Sequence, residues 1–508
     1  MSRINTNVSS LTAQRVLGQN NKSLGTSLER LSTGLRISRG KDDPAGLIAS
    51  ENLRAEKSAI NAAIGNSQRA DQVVNIAEGG LQEISTLLTE LQGLLTTSAN
   101  GAGLAESEKE ANQLQIDSIL QTIDRVAGAT SFQGTKLLNG NFDYKLSTVN
   151  AGVSDVNVRG AKFDGASYTV DAIVTASAQQ AGFLISFGGA ALDLGGNASG
   201  AFTIEVAGSE GSRELQFAST QTVTQIAAAI NAVTDVTGVT AAGSGSVVNL
   251  SSTEFGDSEF VSVKVIDDAG QTAGGGGSIA TYSGDFGDAS SLNTAVAFTD
   301  AAASNGVRDD GQDIAGTING LLATGNGKTL SVNSDFLDVE FTTSTTVSQT
   351  LGAISNGAFT ITGGGADFQL AAEVNIAGKV SIGIGDISAR KLGTSSLGYL
   401  DDLASGKSFN IVDGNNTDTA QDIVSEAIDQ VSSTRGRLGA FQKNVVGATI
   451  RSLGVALENT TAAESVIRDA DFASETASLT RNQILVQAST NVLSLANQQP
   501  QQVLALLG

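Results

Sequence analysis

The stretch Leu31-Ser-Thr-Gly-Leu-Arg-Ile-Ser-Arg-Gly-Lys-Asp-Asp-Pro-Ala-Gly46 separates two long runs of helical periodicity and fixes how the chain is laid out. Before it, apolar residues fall at Ile4, Val8, Leu11, Leu17, Leu24, Leu28, Leu31 and Leu35, mostly three, four or seven apart. That spacing predicts a helix with one narrow apolar stripe. Gly34 and Gly40 weaken propagation. Asp43 then offers an N-cap oxygen, and Pro44 is a first-turn residue whose missing N–H costs nothing there, so a second helix begins at Pro44.

Beyond Pro44, Leu47, Leu53, Ile60 and Ile64 continue the pattern. Val74, Ala77, Leu81, Ile84, Leu88, Leu91 and Leu95 then alternate three and four apart, the seam of a coiled coil. Ser98-Ala-Asn-Gly-Ala-Gly103 breaks the run, and a shorter helix carries Ile116, Leu120, Ile123 and Ala127 on one face. From Phe132 to about Arg159 the period shortens to alternation with Gly and Asn turns, which predicts one or two hairpins. Helical periodicity resumes at Thr419 and runs almost to the end. Val424, Val431, Leu438 and Val445 are heptad-spaced, and so are Val446, Leu453 and Thr460. Leu485, Ala488, Val492 and Leu495 continue the stripe, and Pro500 is expected to interrupt it.

The middle, about Gly160 to Leu392, reads differently. Phe202, Ile204 and Val206 alternate, a turn follows at Gly208 to Gly211, and Leu215 and Phe217 alternate again. Val223, Ile226, Ala227 and Ile230 form a helical face, and Val239, Ala241, Val248 and Leu250 return to strand spacing. A strand-strand-helix-strand-strand unit is therefore expected near residues 200–252. The fold class is α+β, elongated and multidomain: long, coiled-coil-like N- and C-terminal α-helices that pair, flanking a β-rich central insertion.

The chain has no His, Cys or Trp, and aromatics are 4% of it. A His or Cys zinc site, a Cys-His pair and a Ser-His-Asp triad are all excluded. No cofactor is expected. Net charge is -22, and residues 161–400 hold 24 acidic against 8 basic side chains, whereas residues 1–57 hold 9 basic against 5 acidic. An acidic middle argues against a nucleic-acid partner. The opening Met1-Ser-Arg-Ile-Asn-Thr-Asn-Val8 has no apolar core, so no cleaved signal is expected, and no run reaches the roughly 18 apolar residues needed for membrane insertion. Two apparent motifs fail. Gly325-Asn-Gly-Lys-Thr329 lacks the earlier glycine of a phosphate loop, where Leu322 stands. Asp413-Gly-Asn-Asn-Thr-Asp418 has calcium-loop spacing, but Val424 occupies the place of the bidentate Glu.

Leu31 to Gly46, with the opening Ser2 to Thr6 and with Ile467-Arg-Asp-Ala-Asp-Phe-Ala473, resembles bacterial flagellin over about 1–141 and 418–508. Residues 200–252 resemble a small repeat of flagellin variable regions and hook-associated proteins, and Gly316 to Phe341 resembles a segment of the filament cap protein. The resemblance implies a structural, non-enzymatic subunit that polymerises with itself into an extracellular filament for motility. It implies export in an unfolded state through the flagellar channel, and export apparatus, a flagellin chaperone, hook-associated and cap proteins as partners. It places residues 1–43 and 458–508 in an inner tube, 44–159 and 391–457 in a helical shell with its hairpin, and 160–390 outward. Ile4, Val8, Leu11, Leu24, Leu28, Leu31, Leu35, Leu485, Ala488, Val492 and Leu495 become the assembly interface. It also implies two altered contacts for the animal toll-like receptor that detects many flagellins: Glu90 stands where recognised members carry Arg, and Gln115 where they carry Glu.

The terminal stripes are narrow, rich in Ala, Leu, Asn and Gln, and bury too little alone to offset the entropy of ordering. They are expected to be mobile in a monomer and to order against neighbours. A hook-filament junction protein shares such helices, and a filament subunit with an adhesin role in the middle also fits. A metalloprotease insert needs histidines that are absent.

Overall fold

The structure, a computed structural model, describes residues 6–100, 103–163, 165–194, 200–269, 277–282, 292–355, 357–412 and 417–507, with side chains through 499. Ile4 and most of the calcium-loop lookalike lie outside the described residues. The chain divides into two compact units. One holds Met1–Gln72, Phe368–Lys379 and Gly439–Gly508, and the other Val73–Asp367 and Val380–Leu438.

In the first unit, helix α1 (Val8–Thr33) ends at Gly34, whose φ of 73° lets its N–H return to the Arg30 carbonyl at 2.8 Å. Asp43 then caps α2 (Pro44–Ser98), its Oδ1 accepting from the Gly46 N–H at 2.9 Å. Both signals read from Leu31–Gly46 are thus realised. The C-terminal helical run differs from expectation in two places. It breaks at Asp469–Asp471, because Asp469 turns extended and Asp471 accepts the Ala473 N–H at 2.9 Å, starting a new helix. That helix, Phe472–Leu507, continues through Pro500. A proline inside a helix lacks one backbone bond and can bend the helix without ending it.

In the second unit the α2 seam is a true core: Val74, Ala77, Leu81, Ile84, Leu88, Leu91 and Leu95 are all buried. Helix α3 (Glu106–Ala129) buries Ile116, Leu120, Ile123 and Ala127. A later helix, Thr417–Ala440, buries Val424, Val431 and Leu438, and its Arg435 donates to Glu78 of α2 at 2.8 Å. The two overlapping heptads of the sequence have a structural cause. One π-helical turn, Phe441–Val446, adds a residue before the next helix, Gly447–Arg468, both belonging to the first unit. The buried position therefore moves from Val445 to Val446.

The β-rich part forms two cores. Strands Ala201–Gly208 and Gly211–Ala218 make the expected hairpin, Val223–Asn231 is the expected helix, and Val239–Ser244 and Val247–Ser252 make the second hairpin. The two hairpins enter different sheets, of four and five strands among the described residues. Phe183, Phe202, Phe217, Ile226, Ile230 and Leu250 fill one core with both. The second core gathers Val158, Val339, Phe341, Phe359 and Ile361. Of the one or two hairpins expected from Phe132 to about Arg159, one forms and a second is corrected. Only Ser131–Phe132 and Thr135–Lys136 pair locally, whereas Tyr144–Ser147 pairs with Phe359–Gly364 and Val153–Ala161 with Leu337–Thr343. Alternation marks a strand but not its partner. The phosphate-loop lookalike is a turn between paired strands, with Asn326 opposite Thr329.

Asp309 is half-buried, and its carboxylate accepts the Gly182 N–H at 2.7 Å. Burial pushes its pKa from 3.8 up to about 6. The folded state therefore holds the proton more tightly than the unfolded one. This contribution to stability is full below pH about 4 and disappears as pH rises through about 6. The thermal transition of wild type relative to Asp309→Asn, which keeps the acceptor but cannot titrate, is expected to fall between pH 4 and 7. Parallel curves for the two proteins would refute it.

Candidate assembly surface

In α1, the residues turned to the C-terminal helix are Ser10, Ala13, Leu17, Asn20, Leu24, Ser27 and Leu31, alternating three and four apart and buried or half-buried. The seam between the helices mixes Ala13 and three leucines with small polar residues that bond across it. Asn7 donates to the Ala496 carbonyl at 2.8 Å, Ser10 to Asn497 at 2.6 Å, Asn20 to Ser489 at 2.7 Å and Asn482 to Ser27 at 3.1 Å. Hydrogen bonds of this kind set register but contribute about 1 kcal/mol each.

The expected single stripe is therefore divided. Leu24, Leu31 and Leu35 are half-buried, with Leu24 and Leu31 on the seam side. Val8, Leu11, Leu28, Leu485, Val492 and Leu495 are turned outward, each 42 to 63% exposed, and Ala488 is exposed with them. An open groove of about 580 Å³ runs between the two helices, with Val8, Thr12 and Val16 on one wall and Leu485, Ala488 and Val492 on the other. Such a contiguous apolar face marks a surface completed by something else.

The two motifs that carried the family resemblance meet below this pair. Leu35 and Asp469 form an antiparallel bridge. The Arg36 N–H donates to the Arg468 carbonyl at 2.7 Å and the Ala470 N–H to the Gly34 carbonyl at 2.9 Å. The Arg36 guanidinium donates to the Ile467 carbonyl at 2.6 Å. Arg468 in turn reaches Glu51 of α2 at 3.0 Å, and Arg54 and Arg468 together hold the Glu51 carboxyl below its ordinary range. This clasp joins the two chain ends through backbone groups. Arg36 and the seam residues Ser10, Asn20, Ser27, Asn482 and Ser489 escape a reading based on apolar spacing. Small polar residues taking turns with alanine and leucine at three-four spacing, as in Ser10, Ala13, Leu17, Asn20, Leu24, Ser27 and Leu31, are the signal that finds them. Glu90 on α2 and Gln115 on α3 are both exposed.

Among the described residues no helix is long and apolar enough to cross a membrane. A helix pair with a thin, partly polar seam and six large apolar side chains left outside it is a subunit awaiting neighbours. The bacterial flagellin N-terminal helical region matches residues 4–143, the C-terminal helical region 421–507, and the flagellin hook IN motif 201–254. A flagellin of Salmonella choleraesuis (strain SC-B67) is 30% identical, one of Salmonella rubislaw 31%, and the B-type flagellin of Pseudomonas aeruginosa 28%, each aligned over 99% of both chains. The chain belongs to the bacterial flagellin family, the structural subunits of the flagellar filament.

Proposed function

We propose that this chain polymerises into the flagellar filament by burying the outward apolar face of its paired terminal helices against other copies. The observation that carries the reading is the exposure of Val8, Leu11, Leu28, Leu485, Val492 and Leu495 on helices whose mutual seam is thin and partly polar. Residues 1–43 and 458–508 line the inner tube, 44–159 and 391–457 form the shell around it, and 160–390 project outward. The subunit passes unfolded through the flagellar channel with a chaperone's help and assembles beside hook-associated and cap proteins. A thin seam of a few leucines among polar residues suits that route, because it parts without stranding a large apolar core.

Elongation of filament seeds by the purified protein, followed by negative-stain microscopy, tests the reading. Seeds that fail to lengthen would favour a junction adaptor. Limited trypsin treatment adds a second measure. Arg15, Lys22, Arg30 and Arg481 are expected to be cut quickly in the monomer and to be protected in the filament. Equal protection in both states would contradict ordering on assembly.

The receptor contacts follow from the same family reading. A carboxylate at residue 90 cannot supply the planar, directional donors of a guanidinium, and Gln115 lacks the complementary charge. Weak signalling by purified monomer in receptor-bearing reporter cells is expected, with Glu90→Arg and Gln115→Glu together raising it. Full potency of the unaltered chain would refute the expectation.

A further inference from the structure

The strand Val239–Ser244 is an outer strand of the five-stranded sheet, paired with Val247–Ser252 on one side only. In an antiparallel pair, successive residues turn their backbone N–H and C=O alternately toward the partner strand and away from it. An outer strand therefore carries a row of unmatched donors and acceptors, a template on which a strand of another molecule can pair. Here the row belongs to Val239, Ala241 and Gly243.

Each of those positions is met by the helical segment that precedes the strand. Asn231 is the last residue of the helix Val223–Asn231. Its carboxamide accepts the Ala241 N–H at 2.7 Å and donates to the Ala241 carbonyl at 2.9 Å, as a neighbouring strand would. Thr237 accepts the Val239 N–H at 3.3 Å, and Thr234 donates to the Val239 carbonyl at 2.9 Å. At Gly243 the start of the helix itself comes close, since a side chain there would stand 2.9 Å from the Val223 carbonyl oxygen. One short segment, with Asn231, Thr234 and Thr237 spaced three apart, thus closes the edge along its length.

The other long edges nearby are protected differently. The four-stranded sheet ends in Gly211–Ala218 on one side and Val307–Asp310 on the other. The first carries Arg213 and Glu214, and the second carries Arg308, Asp309 and Asp310. Charges on an edge resist pairing, because an added strand would strip their water or set like charges opposite each other. Val239-Thr-Ala-Ala-Gly-Ser244 has no charge at all. The far edge of its own sheet, Val296–Ala297, is only two residues long and offers little to pair with. Among the described residues of these two sheets, the long edge without charge is the one that carries a polar cover. Asn231 is exposed, so core packing does not account for an amide there.

We propose that Asn231, with Thr234 and Thr237, is an edge guard that keeps Val239–Ser244 from pairing edge to edge with the same strand of a second copy. The second copy is the partner being refused because this strand is uncharged and small-sided. It can lie antiparallel against itself with no like charges opposed. Such encounters occur wherever copies meet at high concentration, with or without a filament.

The purified full chain, without seeds, tests the guard independently of the filament reading. Asn231→Ala removes both bonds to Ala241 at an exposed position, and its thermal midpoint is expected to stay near that of the parent. In sedimentation velocity it is expected to form dimers and larger species that the parent lacks at the same concentration. Adding Ala242→Lys, which sets a charge on the edge without restoring the amide's bonds, is expected to return the protein to the parent's state. The chain has no cysteine, so Ala242→Cys, at an exposed position, reports the contact. A short bis-maleimide is expected to link copies that also carry Asn231→Ala and to leave copies with Asn231 unlinked. Sedimentation of Asn231→Ala identical to the parent's overturns the guard. So does association that the lysine fails to relieve, which would arise from unfolded chains rather than from the edge.

Discussion

Replacing Leu485, Val492 or Leu495 by Asp abolishes seed elongation while the monomer's secondary structure stays unchanged. All three side chains are exposed on the C-terminal helix of the single chain, so a carboxylate there remains hydrated and the isolated subunit loses little. Assembly changes the comparison. If neighbouring copies cover this face, each introduced charge is withdrawn from water with no cation provided, at a cost of several kcal/mol in every subunit. A polymer repeats that cost along its whole length and has no conformation that avoids it. Seed elongation measured by light scattering and microscopy checks the effect, with circular dichroism to verify the monomer. Filaments of ordinary length from any of the three variants would show that this face is not buried by assembly. The corresponding change at Ser489 is less informative, because Ser489 lies in the seam with Asn20 and its loss disturbs the monomer as well.

The parts of the fold legible in the sequence are those set by local periodicity or by a single residue's backbone chemistry. Val74 to Leu95 is a three-four repeat with no competing pattern, and it is buried along its full length. Gly34, Asp43 and Pro44 act within one turn of themselves, so their effect does not depend on the rest of the chain. The unit near residues 200–252 was legible for the same reason. Information carried only by distant pairing was not. Tyr144–Ser147 and Val153–Ala161 pair with strands roughly two hundred residues later, and no local turn announces that. The terminal helices were legible as helices but not in how their stripes divide. Apolar spacing merges Val8 and Leu11 with Leu24 and Leu31, whereas the seam is chosen by hydrogen bonds of Ser10, Asn20 and Ser27. The clasp was visible only as two separate family motifs. Arg36 and Arg468 stand 432 positions apart, and only the fold brings the two motifs together.

Phe202→Ala produces the converse result, a weakened β-rich core with assembly retained. Phe202 is fully buried between the four- and five-stranded sheets, its ring 4.9 Å from Phe298 and 5.8 Å from Phe187. Truncating such a ring removes its transfer energy and leaves a cavity that the packed neighbours only partly refill, about 3–5 kcal/mol in comparable cores. For a β-rich region of this size the loss lowers the thermal midpoint by about 6–20 °C. The Phe202 core shares no residue with the helix seam, the clasp or the outward apolar face, so none of the surfaces assigned to assembly loses a contact. Calorimetry of the monomer is expected to show the drop, and seeded elongation at a temperature below the lowered midpoint is expected to proceed as in wild type. The pairing of this variant with Leu485→Asp separates two roles within one chain. The aspartate removes polymerisation from a stable subunit, and the alanine removes stability from a polymerising one. Loss of elongation in Phe202→Ala with its helices intact would mean that the β-rich core itself carries contacts on which the filament depends.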